Sequence, residues 1–141
     1  MKNNQLMIYG AYGYAGELMV REAVAQGLRP IIAGRDDEKL KPIATELSLE
    51  CRAFGVRNTG SNLQDISVLL NCAGPFSATA EPLARACLAQ QIHYLDITGE
   101  IDIFRKCHAL DEEARQQNVL ILPGAGTDIV PTDCLAAVSY T

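Results

Sequence analysis

Short apolar runs alternate with amphipathic stretches along this chain, and that alternation predicts its elements. Leu6-Met7-Ile8-Tyr9 reads as a first strand, followed after a glycine-rich turn by a helix over Glu17 to Gln26. Pro30 to Ala33, Cys51 to Val56, Val68 to Ala73, His93 to Asp96 and Val119 to Leu122 continue the series of strands. Between them lie helical patterns over Asp36 to Leu47 and Thr79 to Gln90, with a short helix or turn over Asn62 to Ile66. Ile103, Cys107, Leu110 and Ala114 stripe a longer helix ending near Asn118, and another helix begins at Pro131. Gly27 is placed to cap the first helix, with Pro30 shortly beyond. Pro42 marks a point where the second helix shortens or kinks, and Pro82 falls in the first turn of the helix after the fourth strand. Continuous apolar strands separated by helices belong to a sheet covered on both faces. The prediction is an α/β fold: a doubly wound, mostly parallel six-stranded sheet in the order 3-2-1-4-5-6, with helices on both faces.

The turn after the first strand carries the chemistry. Gly10, Gly13 and Gly16 are evenly spaced in Gly10-Ala11-Tyr12-Gly13-Tyr14-Ala15-Gly16. A dinucleotide-binding Rossmann unit needs this order of strand, tight turn and helix. Gly10 lets the chain leave the strand sharply, and Gly13 removes a Cβ where backbone must approach a pyrophosphate. Gly16 allows close packing of helix on sheet, because Gly16, Met19, Val20, Ala23, Val24 and Gly27 form one small or apolar stripe. The helix N-terminus offers free amides and partial positive charge to a phosphate, with Tyr12 and Tyr14 beside it.

The second strand ends in Ala33-Gly34-Arg35-Asp36. Sites for NAD usually place an acid there to accept from the ribose 2′-hydroxyl. Here Gly34 leaves room for a bulky substituent and Arg35 offers a planar fork suited to a phosphate, with Lys39 one turn on. Asp36 is open to the acid's role or to capping the second helix, and the pattern favours the cap. NADP is therefore expected over NAD.

Asn71-Cys72-Ala73-Gly74-Pro75-Phe76 supplies a small-residue turn with backbone amides for the middle and nicotinamide end of such a cofactor, and Asn71, Ala73, Gly74 and Pro75 are its candidate contacts. Asp96 and Glu100 bring carboxylates to the same rim, as candidates for orienting a substrate; Glu100 suits a helix dipole equally well. No catalytic acid or base is identified. His93 and His108 are isolated, and they read as a strand-edge packing residue and a solvated helix position.

Composition narrows the class. The 141 residues suit one domain, and 48% hydrophobic with 21% charged residues fits a folded globular chain. A net charge of -5 gives no reason to expect nucleic acid. No apolar run reaches membrane-spanning length, and Met1 to Gln5 lacks a secretion signal, so a cytoplasmic setting is expected. Cys51, Cys72, Cys87, Cys107 and Cys134 are scattered, which argues for reduced thiols and against a metal site.

Five blocks in order resemble a known family: Gly10 to Gly16, Ala33 to Arg35, Asn71 to Phe76, His93 to Glu100 and Pro123 to Asp133. Together they look like the N-terminal nucleotide-binding domain of saccharopine dehydrogenase-like oxidoreductases, including the trans-acting enoyl reductase branch. The resemblance implies an NADP(H)-binding Rossmann domain over residues 1–141, serving a hydride-transfer enzyme with a small-molecule substrate. It also implies a further domain that shapes the substrate pocket and often a dimer interface, so the chain is expected to be the N-terminal part of a longer protein. Alone it is expected to bind the dinucleotide without turnover. A poorly covered apolar rim near Ile129 to Tyr140 leaves a homodimer open. A short-chain dehydrogenase is excluded, since no tyrosine stands four residues before Lys2, Lys39, Lys41 or Lys106. A non-enzymatic protein that senses NADP(H) remains the alternative.

Overall fold

In a computed structural model the described residues are 5–126 and 129–139. Met1 to Asn4, Thr127 and Asp128 of the last resembling block, and Tyr140 of the apolar rim lie outside them.

Six parallel strands form one sheet: β1 (Leu6–Tyr9), β2 (Ile31–Gly34), β3 (Cys51–Ala53), β4 (Val68–Asn71), β5 (His93–Asp96) and β6 (Ile121–Leu122). Their spatial order is β3-β2-β1-β4-β5-β6, as the apolar pattern predicts. The chain reverses direction across the sheet between β1 and β4, which is where open parallel sheets bind ligands. In register, Ile8 lies opposite Ile32 and Leu70, and Tyr9, Asn71 and Asp96 form one row at the carboxyl edge.

Successive side chains of a strand point to opposite faces, and two cores result. Met7 and Tyr9 join Leu69, Leu83, Cys87 and Ile103 on one side, and Ile8 joins Val20, Ile32, Leu40 and Ile43 on the other. The second core is roofed by α1 (Tyr14–Ala25) and α2 (Asp37–Leu47). The first is roofed by α3 (Phe76–Ala89), α4 (Ile101–His108) and α5 (Asp111–Gln116). An exposed α6 (Val130–Ser139) follows β6 and buries none of its residues, Leu135 and Val138 included.

Several boundaries differ from the sequence expectations. Helix α1 begins at Tyr14, three residues early, because Gly13 in extended conformation already serves as its N-cap. Gly27 sits just past its end at φ +82°, and Leu28 donates to the Ala23 carbonyl, the bond pattern of a left-handed helix stop. Asp36 caps α2 by accepting from the Lys39 amide, and the helix runs through Pro42 to Leu47. Strand β3 is only three residues long, and the short helix or turn expected over Asn62 to Ile66 is a single 3₁₀ turn two residues earlier (Gly60–Leu63). Helix α3 starts at Phe76, so Pro82 falls in its second turn; a carboxylate from another loop, described below, satisfies the early start. The long helix is two, parted at Ala109–Leu110, yet Ile103, Cys107, Leu110 and Ala114 all remain buried along it. Strand β6 is shorter than expected: the Leu120 carbonyl accepts from the Tyr94 amide at 2.9 Å, and only Ile121 and Leu122 stand in register with β5.

Candidate dinucleotide site

The loops after β1, β2 and β4 meet at the carboxyl edge around a cleft of about 230 Å³. Tyr9, Gly10, Tyr12, Gly13, Gly34, Arg35, Cys72, Ala73, Gly74 and Pro75 line it, with Val56, Ala78 and Thr79. Of the residues singled out in the sequence, Tyr14, Gly16 and Asn71 are not on this lining. Tyr14 is 87% exposed, while Gly16 and Asn71 are buried.

Two of the glycines are steric requirements. Gly10 has φ +84°, and a Cβ there would lie 2.7 Å from the Ala73 nitrogen. A Cβ on Gly16 would overlap the Gly10 carbonyl. The β1 turn, the α1 start and the β4 loop are thereby pressed together. Gly13 is different: its Cβ would meet only the Gly10 oxygen at 3.3 Å, so its bare backbone faces the cleft. No side chain caps α1. The amides of Tyr14, Ala15 and Gly16 have no partners within the helix, and Gly13, which precedes them as the N-cap, lines the cleft, a fit for an anionic bridge.

Gly34 serves a different end from the one the sequence suggests. A Cβ there would lie 2.5 Å from Tyr12 Cε1, so the space is filled by the Tyr12 ring. Lys39 Nζ stands 5.6 Å from that ring's centroid, a cation–π distance, and 3.5 Å from Asp36 Oδ2. Arg35 is exposed at the cleft mouth, and among the described residues no carboxylate pairs with it. Its charge reaches the cleft floor. The buried Tyr9 hydroxyl, which donates to the Phe54 carbonyl at 2.9 Å, is pushed up to about 12 by burial and by Tyr12, while Arg35 opposes the shift.

The rim beyond β5 is structural. Asp96 is fully buried. Its Oδ1 accepts from the amides of Thr98 (3.0 Å) and Gly124 (2.9 Å), and its Oδ2 from the Tyr94 hydroxyl (2.9 Å). It does not project toward a substrate. Burial, with Asp96 second, drives the Tyr94 hydroxyl far above its ordinary range. Glu100 accepts from the Phe76 amide at 3.2 Å and so caps α3 rather than its own helix. His93 accepts the Leu120 amide on Nδ1 at 2.9 Å, a strand-edge role, and His108 is exposed. Among the described residues no cluster of three or more His, Cys, Asp or Glu could hold a metal, and no helix is long and apolar enough to cross a membrane.

The thiols give a prediction. Burial pushes Cys72 and Cys87 up to about 12 and Cys107 to about 11, with the Asp96 charge adding to Cys72 and Cys107. The folded state therefore keeps protons that the unfolded chain releases above its ordinary thiol pKa. Stability is complete below about pH 9 and falls above it by roughly 1.4 kcal/mol per pH unit for each buried thiol, up to about pH 11 for Cys107 and about pH 12 for Cys72 and Cys87. Melting temperature is expected to drop steeply above pH 9, and at pH 8 iodoacetamide should reach exposed Cys134 well before Cys72, Cys87 or Cys107. Flat melting temperatures from pH 8 to 11 would contradict this.

A strand, an uncapped helix start and a glycine turn at the crossover of a 3-2-1-4-5-6 parallel sheet define a Rossmann dinucleotide-binding domain. Comparison with known proteins narrows this further. Residues 6–122 match the family model described as the saccharopine dehydrogenase NADP binding domain, and the chain belongs to that family, whose ligand is a nicotinamide dinucleotide. It is similar to the saccharopine dehydrogenase-like oxidoreductases of Rattus norvegicus (28% identity, covering 97% of this chain and 37% of that protein) and Homo sapiens (26%, covering 96% and 37%). The chain thus spans little more than a third of the length of these relatives. Among solved structures it resembles apo saccharopine dehydrogenase (L-Glu forming) of Saccharomyces cerevisiae in fold, with TM-score 0.75 over 89% of this chain and 28% of that one, at 12% identity.

Proposed function

We propose that this chain is the NADP(H)-holding domain of an oxidoreductase that transfers hydride to or from a small organic molecule. The observation that carries the choice of NADP is the end of β2. Asp36, the acid that could read an unmodified ribose, is committed to the Lys39 amide and ammonium, while Arg35 is left without a carboxylate partner among the described residues. Arg35 would take the 2′-phosphate, with Lys39 lending charge from beside the Tyr12 ring. The Gly10–Gly13 turn and the first amides of α1 would take the pyrophosphate, with Gly16 setting the helix at the right height. Ala73, Gly74 and Pro75 form the opposite wall, on the side where the nicotinamide would lie. The bound cofactor supplies the hydride; these residues bind it, orient it and exclude water from one side. The relatives' greater length supports a further domain that covers the other side, meets the substrate and provides any dimer contact.

Calorimetric titration with both dinucleotides tests the reading. A charge-assisted hydrogen bond contributes roughly 1.5–3 kcal/mol, so the wild type should prefer NADP⁺ over NAD⁺ by about tenfold to a hundredfold. Arg35→Ala should remove most of that margin and leave NAD⁺ affinity nearly unchanged. Equal wild-type affinities would return the site to NAD; absence of binding to either would overturn the reading altogether.

A further inference from the structure

The β4 loop forms one wall of the cleft, and its last backbone bond to the sheet is from the Cys72 amide to the Tyr9 carbonyl at 2.8 Å. Beyond that bond two side chains hold Ala73. Asn71 Oδ1 accepts from the Ala73 amide at 3.0 Å, and Thr79 Oγ1 donates to the Ala73 carbonyl at 2.6 Å. Asn71 Nδ2 donates to Thr79 Oγ1 and to the Tyr94 hydroxyl, both at 3.1 Å, and the Tyr94 hydroxyl in turn donates to Asp96 Oδ2 at 2.9 Å. Ala73 is thus gripped at both polar atoms, and the grip continues through a buried polar chain to the Thr98 and Gly124 amides. The gripped residue is also the one pressed on Gly10, the first glycine of the turn. Its amide is consequently not a free donor for a ligand.

We propose that Asn71 and Thr79 are positioning residues for dinucleotide binding: they clamp Ala73 against Gly10 and so hold the cleft at its binding width. The inference rests on the dinucleotide reading above. All side-chain N and O atoms buried among the described residues have partners, so removing one member of the chain of bonds leaves its neighbour short of a partner. A loop held this way spends most of its time in the binding-competent position. Loosening it lowers that fraction and raises the apparent Kd by the same factor.

Thr79→Val keeps the shape and removes the hydroxyl; Thr79→Ser keeps the hydroxyl. Thr79→Val is expected to weaken NADP⁺ binding about tenfold, with Thr79→Ser within about twofold of wild type. The Ala73 amide should exchange with solvent faster in Thr79→Val and stay protected in Thr79→Ser, with no cofactor present. Asn71→Ser, which loses the reach to Tyr94, should behave like Thr79→Val if it folds; the Thr79 pair decides the matter if it does not. Unchanged exchange in Thr79→Val overturns the clamp. Faster exchange with unchanged affinity overturns the positioning role and leaves the bonds merely structural. A wild type that binds neither dinucleotide, whatever the exchange rates, overturns both this proposal and the reading it rests on.

Discussion

Asp96→Ala is expected to lower the melting temperature by on the order of 10 °C or more. The carboxylate satisfies the Thr98 and Gly124 amides and the Tyr94 hydroxyl in a place closed to water. Removing it strands those donors at about 1–3 kcal/mol each, so even the low end is about 3 kcal/mol. That is a large share of the roughly 5–15 kcal/mol by which a domain is stable, and each kcal/mol is about 3–6 °C at this chain length. Asp96→Asn retains one acceptor oxygen for the two amides and should fall between wild type and alanine. Circular dichroism melting curves check the order. A change under about 3 °C for Asp96→Ala would show that these loops do not depend on the carboxylate.

The sheet was legible because burial on both faces writes a strand as an unbroken apolar run, and Met7-Ile8-Tyr9, Ile31-Ile32-Ala33 and Leu69-Leu70 leave few other readings. The glycine turn was legible because strand, turn and helix are local in sequence. What was not legible depends on residues far apart. The start of α3 is fixed by Glu100, which lies 24 positions beyond Phe76. The purpose of Gly34 depends on a ring that comes from Tyr12, and nothing in Gly34-Arg35 announces it. Asp96 reads as a rim carboxylate until its partners from β6's loop are seen.

One missed signal was available. Asn71 and Asp96 both end strands and both accept from the amide two residues on, Ala73 and Thr98. Asn and Asp favour that local turn. Two such turns, at what the topology makes neighbouring strand ends, point to side chains turned back on their own loops rather than out to a ligand. The same reasoning, applied to Asn71-Cys72-Ala73, separates residues that shape the cleft from those that line it.

Gly13→Val should cost about a hundredfold in NADP⁺ affinity while the fold survives, and the geometry explains why this glycine is the informative one. Gly10 and Gly16 are needed to fold, since a side chain at either would overlap backbone. Their replacement would confound binding with stability. Gly13 has φ -77° and ψ 160°, extended backbone that valine adopts readily, and its Cβ needs only a few tenths of an ångström from the Gly10 oxygen. Valine is a poorer N-cap than glycine, which costs about 1 kcal/mol and a few degrees of melting temperature. At the cleft the consequence is larger. A branched side chain there fills the space over the first amides of α1, and each phosphate hydrogen bond lost is worth roughly 1.5–3 kcal/mol, so one or two account for about 2.7 kcal/mol, a hundredfold. Titration of the purified variant with NADP⁺, beside its melting curve, gives both numbers. A folded Gly13→Val protein with wild-type affinity would remove the glycine turn from the binding site.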